Sequence, residues 1–245
     1  MSNSPTVIRE VTQGVWTFSR PFARFGLVPF GGRSTAIKLK SGDVWVLAST
    51  PLDEPTKTKL QEIGPVKYIV GGDALHYLFL SEFKKEYPEA KLFAPEGAVT
   101  THAKKNPDLK FDGAWGKDAE DTKYGFEDDI QHCYFPGHQN KEVAFFHAES
   151  KTLVEADLLF NLPATEQYSK SSASASFPFL SSRMNPSSSL HKKMVWSLGT
   201  DKAAMKRSLN TVRGWDFDRI IPCHGDVIEK DGKSAFERVY QQYFE

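Results

Sequence analysis

The chain has 245 residues, 40% hydrophobic and 25% charged, enough apolar material for one large core, so a single domain over residues 1–245 is expected. Lys plus Arg number 31 and Asp plus Glu also number 31, so bulk charge disfavours nucleic acid and leaves a small molecule as the expected partner. Two cysteines, Cys133 and Cys223, exclude a disulfide scaffold and fit a reducing compartment. The short polar start and the lack of a long apolar window point to a soluble cytoplasmic protein with no membrane span.

Residues 6–11 and 14–18 cluster apolar side chains around a turn at Gln13-Gly14 and predict a hairpin. Two more strands, 33–39 and 44–48, flank the turn residues Gly42-Asp43 and continue an antiparallel meander. Period-3.6 spacing then puts Leu52, Thr56, Leu60 and Ile63 on one helical face, which Gly64-Pro65 ends. A strand over 66–70, a helix over 80–87, a strand over 91–94 and a helix over 95–105 repeat a parallel crossover pattern. Residues 106–129 are rich in Asp, Lys and Gly and predict an exposed excursion.

A strand over 130–135 ends in Pro136-Gly137-His138, and a hairpin of 143–147 with 152–155 delivers Ala156-Asp157. Serines crowd residues 169–189 around Phe177, Pro178, Phe179 and Leu180. That stretch, the core of a loop over about 161–189, is either a disordered linker or a mobile loop whose aromatics cover a site. Helices over 190–198 and 202–213 follow, then a strand over 219–222 ending in Cys223-His224-Gly225. A last helix over 234–244 carries Phe236, Val239, Tyr240 and Tyr243 inward. Strands followed by helices in each half predict two mixed sheets facing each other with helices outside.

The chemistry concentrates at strand ends. After the strand 66–70 the glycine pair Gly71-Gly72 allows a sharp turn, and Asp73 and His76 follow within three residues. His138, Asp157 and His224 are likewise just past strands, whereas His102, His132, His147 and His191 read as surface or structural residues. Asp73 has two readings: ligand or general base, or cap of the following helix.

In this order the motifs resemble the metallo-β-lactamase fold superfamily, over nearly the whole chain from Gly14-Val15-Trp16 to Gly225. Pro136-Gly137-His138, Ala156-Asp157-Leu158-Leu159-Phe160 and Ile221-Pro222-Cys223-His224-Gly225 match its third, fourth and fifth motifs. Its first motif, His-x-His-x-Asp-His, is depleted: Gly71, Asp73 and Leu75 stand at the first three ligand positions and only His76 remains. The chain is thus similar to a divergent branch of the superfamily, a DUF4336-like family with the same depleted motif. The resemblance implies an α/β fold, a four-layer αββα sandwich of two mixed β-sheets with helices on both outer faces.

It also implies metal, with Asp157 bridging. Asp73, His138 and Asp157 could hold one ion and His76, Asp157 and His224 a second; a more economical arrangement has one ion on His76, His138, Asp157 and His224 in some combination. Two histidines and one carboxylate suit zinc or ferrous iron, with manganese as a third option. The implied activity is hydrolysis, a metal-bound water attacking a small ester, lactone, thioester or amide, with Phe177 and Phe179 shaping an apolar entrance. The alternatives are an iron-dependent oxidoreductase or oxygenase, a non-catalytic binding descendant, and, against the neutral charge, a nuclease. Substrate and oligomeric state are not legible.

Overall fold

A turn at Gly14, whose φ of 73° suits glycine, joins β1 (Val7–Thr12) to β2 (Val15–Arg20) in an antiparallel pair. The structure, a computed structural model, describes residues 6–178 and 181–245. A small separate hairpin, β3 (Ala23–Arg24) and β4 (Val28–Pro29), interrupts the meander before β5 (Gly32–Lys38) and β6 (Val44–Leu47) continue it. Asp53 accepts from the Thr56 N–H and starts α1 (Glu54–Ile63), which buries Thr56, Leu60 and Ile63.

Parallel crossovers then add β7 (Val66–Val70), α2 (Leu80–Glu86), β8 (Lys91–Pro95), α3 (Glu96–Lys105) and β9 (Gly113–Trp115). The first sheet therefore has seven strands in the order β1-β2-β5-β6-β7-β8-β9. A second sheet runs β10 (Ile130–Phe135), β11 (Glu142–His147), β12 (Thr152–Glu155) and β13 (Arg219–Pro222), with β12 and β13 parallel. Between β12 and β13 come α4 (Thr165–Tyr168), a 3-10 turn at Ser181–Arg183, α5 (Ser189–Leu198) and α6 (Lys202–Arg213). The chain closes with α7 (Gly232–Val239) and α8 (Gln241–Phe244).

Side-chain alternation makes the layers. Trp45, Leu47, Tyr68 and Val70 face the second sheet, where they meet Phe145, Val154 and Ile221; Val44, Val46 and Ile69 face outward against Leu60, Leu80, Phe83 and Ala98 of α1 to α3. On the far side Ala144, Leu153 and Ile220 pack on Val195, Met205, Leu209 and Phe236 of α5 to α7 and on Tyr240 just after α7. The result is the expected αββα sandwich, and it places the carboxyl ends of β7, β12 and β13 along one lip. Among the described residues no helix is long and apolar enough to cross a membrane.

Two expectations are corrected. Residues 106–129 are not merely an exposed excursion, because β9 joins the first sheet and Trp115, Tyr124 and Phe126 are buried in the central core. The charges that made the segment look solvent-facing hold its turns: Asp118 accepts from the Ala114 N–H, and Glu127 from the Tyr124 and Gly125 N–H groups. The last helix is broken at Tyr240 into α7 and α8, although Phe236, Val239, Tyr240 and Tyr243 are all buried as their spacing predicts. Phe179 and Leu180 lie outside the described residues.

Candidate metal centre

The β7 turn brings the first candidate ligand. Gly72 is required for room rather than for torsion: a Cβ there would stand 2.8 Å from the Ala156 Cβ, so glycine lets this loop press against the residue before Asp157. Asp73 Oδ1 accepts from the backbone N–H groups of Leu75 (2.7 Å) and His76 (2.8 Å). Because α2 begins only at Leu80, Asp73 caps this turn and not the helix. The turn holds His76, whose Nδ1 meets the Ser49 hydroxyl.

Two buried glutamates build the second corner. Glu142 accepts from the N–H groups of Ala156 (2.8 Å) and Asp157 (3.0 Å), and Glu155 from those of Leu158 (2.7 Å) and Leu159 (3.3 Å). Burial raises both carboxyls well above the ordinary glutamate range. Sequence reasoning missed them; the available signal was a glutamate at either end of an otherwise apolar hairpin. Asn140, also missed, donates from Nδ2 to Asp157 Oδ2 (2.8 Å), accepts at its carbonyl from the Ala74 N–H (2.7 Å) and donates its own N–H to His138 Nδ1 (3.2 Å).

The third corner is the turn after β13. Arg33, fully buried, donates through Nη1 to the carbonyls of Pro222 (2.7 Å) and Gly225 (2.6 Å), on either side of His224. Gln167 bonds Cys223 O and the Gly225 N–H. His224 Nδ1 lies 2.6 Å from Gly31 O; a carbonyl only accepts, so Nδ1 carries the proton and Nε2 presents a lone pair.

These corners converge. His76 Nε2 is 3.5 Å and His224 Nε2 3.3 Å from the same atom, Asp157 Oδ1, and the two imidazole centroids are 5.2 Å apart. Ligand atoms of His76, Asp157 and His224 all lie within 4.8 Å of one another; among the described residues neither His138 nor Asp73 joins that group. Both nevertheless border it, each being fully buried and within electrostatic reach of Asp157. His102, His132, His147 and His191 are structural, as expected, but buried or half-buried rather than at the surface: His191 Nε2 accepts from the Phe160 N–H (3.0 Å) and His132 Nδ1 from Trp115 Nε1 (3.2 Å).

Electrostatics polarises the cluster. Burial alone would raise Asp157, but the His76 and His224 imidazoles hold it below the ordinary carboxylate range. Burial pushes Asp73 up to about 7, with His76 opposing and the Asp157 charge adding. Burial likewise lowers His224 and His138 to about 4, so both are neutral near pH 7, while Asp73 and Asp157 raise His76 against its burial. Asp157 Oδ1, Asp73 Oδ2 and His138 Nε2 are buried without a hydrogen-bond partner. Buried polar atoms are normally satisfied, so three orphans around one anionic carboxylate and two imidazoles fit a divalent cation.

The centre floors a cavity of about 690 Å³ walled by Phe22, Phe30, Leu75, Leu78, Phe79 and Phe160. The serine-rich region contributes Tyr168 and Ala173 to that wall; Phe177, expected at the entrance, is not among the described lining residues.

Two facing mixed sheets, outer helices and a histidine–aspartate cluster on their shared lip are the architecture of the metallo-β-lactamase fold. The chain is similar in structure to the DIM-1 metallo-β-lactamase exposed to ceftazidime (TM-score 0.63, 13% identity, 99% of each chain covered). It is similar also to the mono-zinc form of the FIM-1 metallo-β-lactamase from Pseudomonas aeruginosa (0.62, 15%, 98% of this chain and 95% of that one). The metal-soaked Flv1 flavodiiron core from Synechocystis sp. PCC6803 matches with a TM-score of 0.68 at 13% identity, over 99% of this chain and 61% of that one. By sequence the chain belongs to the DUF4336 family, a domain of unknown function, which matches residues 12–194 and so includes His76, His138 and Asp157 but not His224. No curated protein matches it in sequence.

Proposed function

We propose that this protein is a metal-dependent hydrolase in which His76, Asp157 and His224 hold one divalent ion and the cavity beside them receives an ester, thioester, lactone or amide. The observation that carries the reading is the approach of two imidazole Nε2 atoms to one buried carboxylate oxygen, Asp157 Oδ1, that has no hydrogen-bond partner. A divalent ion at such a site polarises a carbonyl and lowers the pKa of water to about 7 from roughly 15.7.

The chain's own residues do the rest. Gly31 O fixes the His224 tautomer so that its Nε2 presents a lone pair, and Ser49 meets His76 Nδ1 so that the His76 Nε2 faces Asp157 Oδ1. Asn140 holds the second oxygen of Asp157, leaving Oδ1 to face the imidazoles. Asp73, capped on one oxygen, keeps Oδ2 as a buried proton acceptor beside the centre. Phe22, Phe30 and Phe160 pack around the His224 ring.

Zinc is the first candidate. Two histidines and one carboxylate with open positions also suit ferrous iron, which supports an iron-dependent oxidoreductase as the second reading. Metal analysis with hydrolysis of a panel of aryl esters, thioesters and lactones tests both. The first reading expects about one equivalent of zinc and hydrolysis that Asp157→Ala and His224→Ala abolish together with the metal. Stoichiometric iron with an optical signature and no hydrolysis moves the assignment to the second. Full occupancy in Asp157→Ala overturns the centre itself.

A further inference from the structure

We propose that the compound received here is an acyl species with a long unbranched apolar chain, its oxygen end at His76, Asp157 and His224 and its chain along Phe22, Phe30, Leu75, Leu78, Phe79 and Phe160. The proposal rests on the metal-centred reading for the oxygen end and on the cavity walls for the chain.

Beside the metal centre the polar lining side chains are His76, Asp157, His224, Ser49 and Thr50; Arg20, Arg24 and Tyr168 are the other polar ones among the described lining residues, and the rest of the wall is rings and alkyl groups. Phe160 stacks on the His224 ring at 5.6 Å and 18°, Phe22 at 5.9 Å and 25°, so the apolar surface begins at the ligand itself. Toward the mouth Leu78 is 62% exposed, Leu75 50% and Phe22 47%. Large apolar side chains left in water around one cavity mark what the cavity binds. A sugar or nucleotide would need donors and acceptors along its length, and beyond the centre the described lining offers only Arg20, already paired with Asp53, Arg24 and Tyr168, whose hydroxyl donates to Phe22 O, among rings and alkyl groups. Asp157 is the single carboxylate among the described lining residues, whereas Arg20, paired with Asp53 at 3.0 Å, and Arg24 are cations of the same lining. An anionic or neutral oxygen end is therefore favoured over a cationic one.

The apolar lining makes a graded prediction. Burying a methylene tightens binding about fourfold at best, so a twofold gain per carbon is a conservative floor. Isothermal titration calorimetry with butyrate, hexanoate, octanoate and decanoate, on the zinc-supplemented and the chelator-treated protein, measures it. Decanoate, six carbons longer, should bind at least about sixtyfold more tightly than butyrate, and decyltrimethylammonium, with the same chain, less tightly than decanoate. Leu78→Gln, at a position 62% exposed, should flatten the chain-length dependence. Phe25→Gln, 85% exposed on the neighbouring hairpin but outside the wall, should leave it intact. Equal affinity for butyrate and decanoate overturns the proposal, as does an equal effect of the two substitutions. A zinc-dependent gain common to every chain length reports on the metal-centred reading alone, so the two ideas fail separately.

Discussion

Arg33→Met gives the most demanding test of how the centre is assembled. Arg33 is fully buried, and besides donating to Pro222 O and Gly225 O it bonds Ser19 Oγ at 3.0 Å and meets Glu166 Oε1 at 3.5 Å. Burial alone makes its charge unfavourable, and these partners offset that cost. Methionine keeps the length and removes every donor. Two carbonyls lose a charged partner and Glu166 loses its buried counter-charge, for a net destabilisation of about 4 kcal/mol. For a chain of this size that is a Tm lowered by roughly 8 to 16 °C. Because the freed carbonyls bracket His224, zinc affinity should also fall, by about ten- to a hundredfold. Glu166→Gln separates the two effects, since it weakens the ion pair but leaves both carbonyl bonds, and should cost stability with little change in zinc affinity. Differential scanning calorimetry and competition against a chromogenic chelator provide the readouts. A Tm within about 2 °C of the parent together with unchanged zinc affinity in Arg33→Met would refute the claim that Arg33 holds the His224 turn.

Asn140→Ala, which frees Asp157 Oδ2, should weaken zinc binding about ten- to a hundredfold while the far-ultraviolet circular dichroism stays unchanged. His191 is buried and neutral, lowered to about 4 by its burial, with Nε2 accepting from the Phe160 N–H. The unfolded chain takes up this proton near pH 6.5 and the folded one only near pH 4, so the His191 contribution to stability, the difference in slope between the parent and His191→Gln, should fall with acidification through that window by about 3 kcal/mol, beside those of His138 and His224. Urea titrations at pH 7.5, 5.5 and 4 would show that slope, and its persistence unchanged in His191→Gln would assign it elsewhere. Trp115→Ala should destabilise by about 3 to 5 kcal/mol, a size reserved for the core; a loss under about 1 kcal/mol would return residues 106–129 to the surface.

Sequence pattern reached the framework because its signals are local. Alternation in Val44–Leu47 and Val66–Val70, and the Thr56, Leu60, Ile63 spacing of α1, survive into the structure because each buries the face that its period defines. Where the average polarity of a window stood in for its individual residues, as over 106–129, the reading failed. Trp115, Tyr124 and Phe126 anchor in the core a segment whose other residues are largely exposed, as its polarity predicts. The strand-end positions of His76, Asp157 and His224 were legible for the same reason as the strands, since a sheet's carboxyl edge gathers whatever follows each strand. Arg33, Asn140, Glu142 and Glu155 were not, because their partners are backbone groups distant in sequence and carry no motif.

The difference between those two sets bears on how a depleted first motif can still leave a centre. The residues that approach one another are the ones whose orientation is imposed by something other than metal: Gly31 O on His224, Ser49 on His76, Asn140 and Glu142 on Asp157. A site so held before any ion arrives does not need a full complement of histidines to fix its geometry, since hydrogen bonds to the outer atoms of the ligands do that work. Gly71 and Leu75 occupy first-motif ligand positions and supply no donor atom, yet Asp73 in the same window supplies the turn that holds His76. A first motif without its histidines and an intact scaffold around His76, Asp157 and His224 are thus compatible, in line with the single ion proposed above.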